Sequence, residues 1–528
     1  MKSGRARFLA MIATLSLLII PARIAEPVHA AAPNLVIDIA YEGSQVDPAQ
    51  DYDTGMDTVL SNVYDGLVRA QGSKVVTIVP DLATSWKESA DGKTWTFKLR
   101  SGVKFHDGST VDAAAVKFSF DRLLKLQLGA VGDFLEIASV AAPDPSTVVF
   151  HLSTPYSGFL PSLTSLWGPG IVSPKSVLAH QVNGDLGKAW MVDHDAGSGP
   201  WMVTQWVHGQ KIVLDPFPGY WKGWSGQHVG EVVLQWPAAS STQRQGLEHG
   251  DVDIAMNLNY QDFEAVGHES GIVAQEYTGQ TIREIRFNTR MGKGPLGNQL
   301  VRQALSYTFD YDTMVKAAFR GHGARMLGVG PTGMANYFPA PHLYTYDLAK
   351  ARSLLVQAGY PHGFSLEVDW QTGDFQSALM AQIWQADAKP LGIQMNLHVL
   401  PESVYQTRSM KMNTNPDVWF GQWTMDFADN QNMYLNYFWS KAPPSSGNVF
   451  FAPNATLDSL LVQGRDASNA ATAKADFMKA MDMVYNEALE VWAVQPNDRV
   501  AMRGNVHGYV YNYLYGSFYY DLYALSKS

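Results

Sequence analysis

Few stretches of this sequence have the residue types and spacing that chemistry requires. Asp51, Asp53 and Asp57 have part of the acidic spacing of a calcium-binding loop, but no Glu closes the run, so calcium is not favoured. Residues 328–333 read GVGPTG and match the G-x-G-x-x-G pattern of dinucleotide-binding loops. Because Pro331 lies inside the motif and no helical pattern follows it, a turn-rich loop is the better interpretation.

The motifs of the common enzyme classes are missing. The sequence contains no G-x-x-x-x-G-K-[ST] phosphate loop, no G-x-S-x-G nucleophile elbow and no H-E-x-x-H zinc pair. It has no Cys, which excludes disulfides, thiolate metal ligands and cysteine nucleophiles. Its formal net charge of −10 opposes attraction to phosphate. We therefore expect a protein that is not an enzyme, holds no cofactor or metal, and binds no nucleic acid.

The strongest candidate for a binding residue is Asp426, which follows a strand-like run over residues 417–425. In α/β domains, ligands lie beyond the carboxyl ends of the strands, and Asp426 falls there. An Asp that caps the next turn is the alternative interpretation. Trp423, at the end of the same run, either walls a pocket or fills the core.

The elements that must position these residues alternate along the chain. Strand-like patterns are found at 34–39, 233–235, 252–254, 365–370, 394–399 and 417–425. Helical spacing is found at 112–124, 301–319, 347–358, 375–388 and 471–494. This order predicts an α/β protein rather than a helical bundle or a β-sandwich. The length of 528 residues is enough for three or four domain-sized units.

Residues 1–30 have the pattern of an export signal. Basic residues precede an apolar run over 8–20, which Pro21 ends before it is long enough to span a membrane comfortably. A short membrane anchor is the alternative. Cleavage would remove four basic residues and one acidic residue, leaving 35 and 48, so the mature charge would be near −13. Because Ala31 rather than Cys follows, we expect no lipid anchor and a location in a bacterial periplasm, with secretion as the lesser option.

A series of longer runs carries a family resemblance. Residues 63–124 include VYDGLV, PDLATSW and ADGKTWTFKLRSGVKFHDGSTVDAAAVKFSFDRLL. GSGPW at 197–201, PGYW at 218–221, FNT at 287–289, VRQAL at 301–305 and DLAKA at 347–351 follow in order. Together they strongly resemble the family 5 substrate-binding proteins of ABC transporters, the dipeptide, oligopeptide, nickel and opine group. The resemblance covers essentially the whole chain after residue 30.

The resemblance implies a periplasmic binding protein fold of two lobes joined by a hinge, of type II-like organisation, with an extra α/β subdomain. Lobe I would comprise residues 31–58, 190–279 and 497–528, and lobe II residues 280–496. Residues 59–189 would form the extra subdomain, in which 94–106 read as a strand, a turn and a strand belonging to the scaffold. The chain would cross the hinge twice, and a bound solute would favour the closed state.

The resemblance also implies candidate site residues. In peptide-binding relatives the Asp that matches Asp426 pairs with the α-ammonium of the ligand, a task suited to a carboxylate in a closed, dry cleft. Tyr41, Glu42 and Gly43 end the first strand and would occupy the facing rim of lobe I. Trp167 is a further candidate from the subdomain.

Three departures limit how far the family pattern transfers. Relatives usually continue the Asp segment with Asp-Pro, whereas Asn430 stands here, so the loop is expected to take a different path. Dipeptide-type members can carry an Arg for the ligand's carboxylate where this chain has Ser377 and Ala378. No His lies between 401 and 501, which disfavours nickel.

These features predict a monomeric, periplasmic solute-binding component of an ABC importer. It would capture a di- or oligopeptide, or a related amino-bearing solute, between the lobes and deliver it to the membrane permease and its ATPase subunits. An opine, an oligosaccharide or another small solute is the alternative ligand on the same scaffold. A periplasmic sensor or chaperone is the alternative role.

Overall fold

The computed structural model describes residues 32–39, 41–237, 239–256, 258–290, 294–409, 411, 414–442 and 448–528. The predicted signal peptide, residues 1–30, lies outside the described residues. Within those ranges no helix combines the length and the apolar composition needed to cross a membrane.

Strands and helices alternate along the chain. The strands are β1 (Leu35–Asp38), β2 (Val68–Gln71), β3 (Thr77–Pro80), β4 (Ala83–Glu88), β5 (Thr94–Leu99), β6 (Ile137–Asp144), β7 (Thr147–Leu152), β8 (Trp201–Val207), β9 (Lys211–Pro216), β10 (Val232–Gln235), β11 (Ile254–Met256), β12 (Ile272–Thr278), β13 (Ile282–Phe287), β14 (Gly323–Arg325), β15 (Gly328–Val329), β16 (Phe338–Pro339), β17 (Ser365–Gln371), β18 (Gln394–Leu400), β19 (Val418–Trp423), β20 (Glu490–Arg503), β21 (Val506–His507) and β22 (Ser526–Lys527). The helices are α1 (Asp57–Val63), α2 (Ala113–Leu126), α3 (Phe159–Ser162), α4 (Pro174–Ala179), α5 (Ser240–His249), α6 (Tyr260–Val266), α7 (Gln299–Tyr307), α8 (Tyr311–Ala318), α9 (Leu348–Gln357), α10 (Phe375–Ala388), α11 (Glu402–Ser409), α12 (Gln431–Phe438), α13 (Ala455–Arg465) and α14 (Ala470–Asn486). The predicted mixed α/β class is confirmed.

One mixed sheet of twelve strands runs through the molecule in the order β18-β17-β19-β13-β20-β11-β1-β10-β9-β8, with β12 and β14 also paired to β20. β1 is parallel to β10 and β11, and β17 is parallel to β18 and β19. Parallel neighbours need helical crossovers, which is why the apolar strand patterns alternate with helices in the sequence. All six strands predicted from those patterns are confirmed within two residues at each end.

β20 joins the two halves of this sheet. Its first residues pair with β13 and β14, and residues 497–503 pair with β12. β12 and β13 are consecutive strands, so the chain passes between the two halves a second time at residues 279–281. The two passages lie side by side, since the Gly279 amide donates to the Pro496 carbonyl over 3.1 Å.

A four-stranded antiparallel sheet, β4-β5-β7-β6, packs with α2 in the region predicted to be the extra subdomain. Asp112 caps α2, as predicted, by accepting a hydrogen bond from the Ala115 amide at 2.9 Å. The strand-turn-strand prediction for 94–106 is only half right. β5 ends at Leu99, and the second strand is reduced to an isolated bridge between Lys104 and Thr110.

Two helix predictions are corrected by the structure. The pattern over 301–319 is divided into α7 and α8, because Asp310 starts a new helix by accepting from the Thr313 amide. The pattern over 471–494 ends in a strand rather than in a helix. α14 stops at Asn486, Ala488 has a left-handed φ of 47°, and β20 begins at Glu490.

Buried apolar side chains form three large clusters and one small one among the described residues. The first contains mainly residues between 282 and 494, such as Phe287, Trp384 and Phe477. The second is built around β1 and includes Trp201. The third lies between the four-stranded sheet and α2, and includes Phe120. A single division into lobes does not follow from clusters alone, and the predicted boundaries stay a prediction.

Candidate functional site

Asp426 lies three residues beyond the end of β19, at the edge where the parallel strands of this half end. Its side chain is buried, and its Oδ2 accepts hydrogen bonds from Tyr52 Oη at 2.9 Å and from Asn432 Nδ2 at 3.0 Å. Burial raises its pKa to about 6, against the opposing effect of these two hydrogen bonds. A carboxylate in this setting is poorly hydrated and available to a cation.

The capping role that was the alternative for Asp426 belongs to another residue. Asp429 accepts from the backbone amide of Gln431, the first residue of α12, at 2.9 Å, and from the Gln431 side chain at 2.8 Å. Asp426 accepts no backbone amide among the described residues. The contacts therefore remove the capping interpretation for Asp426 and leave its carboxylate facing a cavity.

This cavity, which we call the Asp426 cavity, has a volume of about 10 Å³ and is walled by Asp57, Leu166, Trp167, Gln280, Thr424, Met425, Asp426, Leu514 and Tyr515. That volume is at the lower limit for one water molecule, and an ammonium group is of similar size. Trp167, predicted as a site residue, lies in its wall. The ring of Tyr52 meets Trp167 edge-on, with 5.2 Å between ring centroids.

Asp57 is a second carboxylate in the same cavity, and the sequence did not single it out for ligand binding. It is the first residue of α1 and is buried, and among the described residues its Oδ1 has no hydrogen-bond partner. Burial first, and then the charges of Asp51, Asp53 and Asp426, raise its pKa well above the ordinary value. An unpartnered buried carboxylate oxygen costs free energy unless a donor reaches it.

Asp133 is a third carboxylate near Asp426, since both accept hydrogen bonds from Asn432. Asn432 donates to Asp133 Oδ1 at 3.4 Å as well as to Asp426, and burial raises the pKa of Asp133 well above its usual range. No group of three or more His, Asp or Glu within the described ranges has the arrangement of a metal site. The spacing of Asp51, Asp53 and Asp57 that resembled a calcium loop instead places Asp57 at the Asp426 cavity.

Trp423 lies at the wall of a neighbouring, larger cavity. This Arg283 cavity has a volume of about 590 Å³, and Arg283, Asp374, Tyr405, Trp423 and Tyr437 are among its lining residues. The Trp423 ring meets Tyr437 edge-on at 4.7 Å. Trp423 lines this cavity and also packs against the core cluster that contains Tyr437, so each of the two interpretations describes one side of the ring.

Tyr41, Glu42 and Gly43 line neither cavity, contrary to the facing rim expected for them. The carboxylate of Glu42 accepts from Trp206 Nε1 at 2.8 Å and from the Gly209 amide at 2.9 Å, in the β8–β9 hairpin. Tyr41 Oη bonds the hydroxyl of Thr54 at 2.5 Å.

Gly43 is packed against the side chain of Met56, which leaves no room for a solute atom. A Cβ on Gly43 would lie 2.2 Å from Met56 Cγ. The sequence placed these three residues by their position after β1, but their contacts are with the β8–β9 hairpin and with residues 54–56.

Sequence comparison decides the family. Residues 77–445 match the family described as bacterial extracellular solute-binding proteins, family 5 middle. This chain belongs to that family. The family 5 solute-binding protein is also 33% identical over 490 residues to the "Probable D,D-dipeptide-binding periplasmic protein DdpA" of Escherichia coli, covering 92% of this chain and 93% of the relative.

Solved structures confirm the predicted periplasmic binding protein fold. The family 5 protein superposes on the periplasmic binding protein DppA of Helicobacter pylori in complex with the peptide STSA, with a TM-score of 0.78, 26% identity and coverage of 94% and 98% of the two chains. It also superposes on the dipeptide binding protein of Pseudoalteromonas sp. SM9913 in complex with Met-Leu, with a TM-score of 0.81, 21% identity and coverage of 94% and 100%. The latter likeness concerns the fold.

Proposed function

We propose that this solute-binding protein captures a short peptide, or a related solute with a free amino group, and holds its ammonium in the Asp426 cavity. The observation that carries the proposal is the pair of buried carboxylates, Asp57 and Asp426, that face one cavity the size of an ammonium group. A charge-assisted hydrogen bond in a dry site is about twice as strong as a neutral one. The names of the relatives, which refer to a D,D-dipeptide and to peptides, agree with this ligand class.

The proposal includes the predicted division of the chain. Asp57 would come from lobe I (31–58, 190–279 and 497–528), Trp167 from the extra subdomain (59–189), and Asp426 from lobe II (280–496). The passages at residues 279–281 and near Pro496 would act as the hinge. An ammonium between the carboxylates favours the closed arrangement, because it removes their repulsion.

In this proposal the protein works in the periplasm without catalysing a reaction. It is exported by the signal in residues 1–30, carries no lipid anchor, and acts as a monomer. It delivers its solute to the permease and ATPase subunits of an ABC importer, and requires no cofactor.

Replacement of Asp426 by Asn tests the ammonium site. Asn keeps the size of the side chain and its hydrogen bonds to Tyr52 and Asn432 but removes the charge. Loss of one charge-assisted contact, worth about 1.5–3 kcal/mol, predicts an affinity about 10- to 100-fold lower for L-alanyl-L-alanine or D-alanyl-D-alanine by isothermal titration calorimetry.

Asp121→Asn is the matched control, because Asp121 is exposed and paired with Lys117 on the surface of α2. We expect the control to bind as the wild type does. An Asp426→Asn variant that binds either dipeptide as tightly as the wild type would show that the ammonium is held elsewhere.

A further inference from the structure

A group of charged side chains joins the two halves of the molecule beside the proposed hinge. His322 lies in the turn between α8 and β14, and β14 pairs with β20. The Asn497 amide of β20 donates to the His322 carbonyl over 3.2 Å. Glu264 of α6 and Glu276 of β12 pair with the His322 side chain. In the proposed division these two acids belong to lobe I, and His322 belongs to lobe II.

Both nitrogens of the His322 ring face a carboxylate oxygen. Nδ1 lies 3.0 Å from Glu276 Oε1, and Nε2 lies 3.1 Å from Glu264 Oε1. An ionised carboxylate only accepts hydrogen bonds, and a neutral imidazole has a single N–H, whereas an imidazolium has two. Both hydrogen bonds therefore form only when His322 is protonated. In the neutral ring, a nitrogen lone pair would face one of the two acids.

The ring of His322 is held in its plane by two aromatic side chains of α6. Tyr260 stacks on it, with 5.2 Å between ring centroids and 5° between ring planes, and Phe263 meets it edge-on at 6.0 Å. The His322 side chain is only 16% exposed. Because these contacts restrict the ring, a neutral His322 keeps at most one of its two carboxylate contacts.

The remaining polar partners of the two acids stay in place when His322 changes charge. Arg320 donates to Glu264 through Nε at 2.9 Å and through Nη2 at 2.5 Å. Asn497 Nδ2 donates to Glu276 Oε1 at 2.8 Å. The hydrogen bonds from Arg320 and His322 lower the pKa of Glu264 to about 2, so this acid is charged at neutral pH. Two cations face two acids when His322 is protonated, and one cation when it is neutral.

Two further arginines act on Tyr260 from the strands beside it. Arg499 of β20 lies over the Tyr260 ring, with 3.9 Å between the guanidinium carbon and the ring centroid. Burial raises the pKa of Tyr260, and the charges of Arg499 and Arg283 oppose that shift. Tyr260 therefore stays neutral at neutral pH. Histidine is the one residue type in this group that ordinarily titrates near neutral pH.

We propose that protonated His322 clamps lobe II to lobe I beside the hinge, and that loss of its proton releases this clamp. The clamp favours the arrangement of this structure, in which Asp57 and Asp426 line one cavity. This inference rests on the proposed function, because it assigns a regulation to the same solute site. His322 is a positioning residue that does not line that cavity, and it couples solute affinity to pH through the orientation of the lobes.

Calorimetry of solute binding tests the clamp. The mature wild type and His322→Gln are titrated with L-alanyl-L-alanine and D-alanyl-D-alanine at pH 6 and at pH 8.5. Gln carries no charge at either pH. At pH 6 we expect the variant to bind the better dipeptide about 3- to 10-fold more weakly than the wild type, and at pH 8.5 equally tightly. Both proteins contain Asp426, so its titration cancels in this comparison.

His398→Gln is the matched control, because His398 also pairs with a glutamate, Glu367, but on a neighbouring strand of the same half. It should bind as the wild type does at both pH values. Glu276→Gln is the second variant in case His322→Gln does not fold, since it removes a charge that His322 faces and keeps an acceptor for Asn497. It should reproduce the effect of His322→Gln. Binding weakened equally at both pH values would indicate a merely structural role and would contradict the clamp.

A second test follows the lobes without solute. The chain has no Cys, so spin labels can be attached to cysteines introduced at the exposed residues Gln245 of α5 and Ala349 of α9. By double electron–electron resonance at pH 6, we expect a broader distribution of label distances in His322→Gln than in the wild type. At pH 8.5 the two distributions should coincide.

The outcomes separate the two proposals. If His322→Gln matches the wild type in affinity and in label distances at pH 6, the clamp is wrong while the ammonium site at Asp426 stands. If the label distances respond as expected but neither dipeptide binds, the clamp stands and the proposed ligand class is wrong.

Discussion

Burial makes the negative charge of Asp426 costly in the ligand-free protein. The folded state raises its pKa from 3.8 to about 6. Between these values the folded protein holds more protons than the unfolded chain, so this carboxyl favours folding below pH 4 and its contribution is lost as the pH rises to 6. The buried charge of Asp426 therefore lowers the free energy of unfolding of the ligand-free protein, and a bound cation would offset that cost.

Asp426→Asn should therefore stabilise the protein in the absence of solute, in a pH-dependent way. At pH 8 the variant avoids the cost of the buried charge, and we expect its free energy of unfolding to exceed that of the wild type by on the order of 3 kcal/mol. At pH 4 the difference should vanish. Thermal unfolding of both proteins at several pH values measures this, and a variant that is less stable at every pH would contradict it.

At the scale of elements, the attachment of α2 to the segment after β1 depends on a buried ion pair. Arg122 donates to both oxygens of Asp47, at 2.7 and 2.5 Å, and its Nε donates to the Leu186 carbonyl. Both side chains are almost completely buried, with exposures of 1% and 0%. Loss of one partner leaves the other charge uncompensated in the interior.

Arg122→Ala should therefore lower the free energy of unfolding by about 3–5 kcal/mol. Lys117→Ala on the same helix removes a cation from an exposed pair with Asp121 and should cost less than about 1 kcal/mol. Urea or thermal unfolding of both variants checks the contrast. Equal effects of the two substitutions would mean that the buried pair contributes no more than the surface pair.

The sequence predicted elements well where the local pattern was unambiguous. The cap at Asp112 and helices α9 and α10 could be found because cap, periodicity and stop signals agree. β20 could not, because a continuous apolar run at 491–494 suits a buried strand and a helix equally. Arg283 was missed because nothing in the residue pattern of β13 marks which of its side chains lines a cavity.

The site was predicted in part. Asp426 and Trp167 line one cavity, as predicted for two site residues, although they lie 259 positions apart in the chain. Tyr52 and Asp57 were not predicted as site residues, because they lie within an acidic run that resembled a calcium-binding loop. Glu42 looked available because sequence gives no sign that a distant hairpin would occupy its carboxylate.

At the scale of the whole molecule, the proposed hinge would allow the buried carboxylates to act on an equilibrium between open and closed states. In the structure Asp57 and Asp426 line one small cavity, and Tyr52 reaches Asp426 from a segment 374 residues away. The charge of Asp426 raises the pKa of Asp57, so charge on both acids would oppose this approach. A solute cation removes the repulsion, which makes closure depend on the ligand.

Neutralising one acid should therefore close the cleft without solute. At pH 8 we expect ligand-free Asp57→Asn to have a smaller radius of gyration by small-angle X-ray scattering than ligand-free wild type, approaching that of the solute-bound wild type. Ligand-free wild type should also contract on acidification from pH 8 to pH 5, because the pKa of Asp426 is raised to about 6 and this acid is protonated in that interval. Asp121→Asn removes an exposed acid that does not line the cavity, and it should leave the radius unchanged at each pH. If Asp57→Asn is as open as the wild type at pH 8 and still contracts on binding solute, carboxylate repulsion does not hold the cleft open, and closure must be driven by contacts that the solute alone provides.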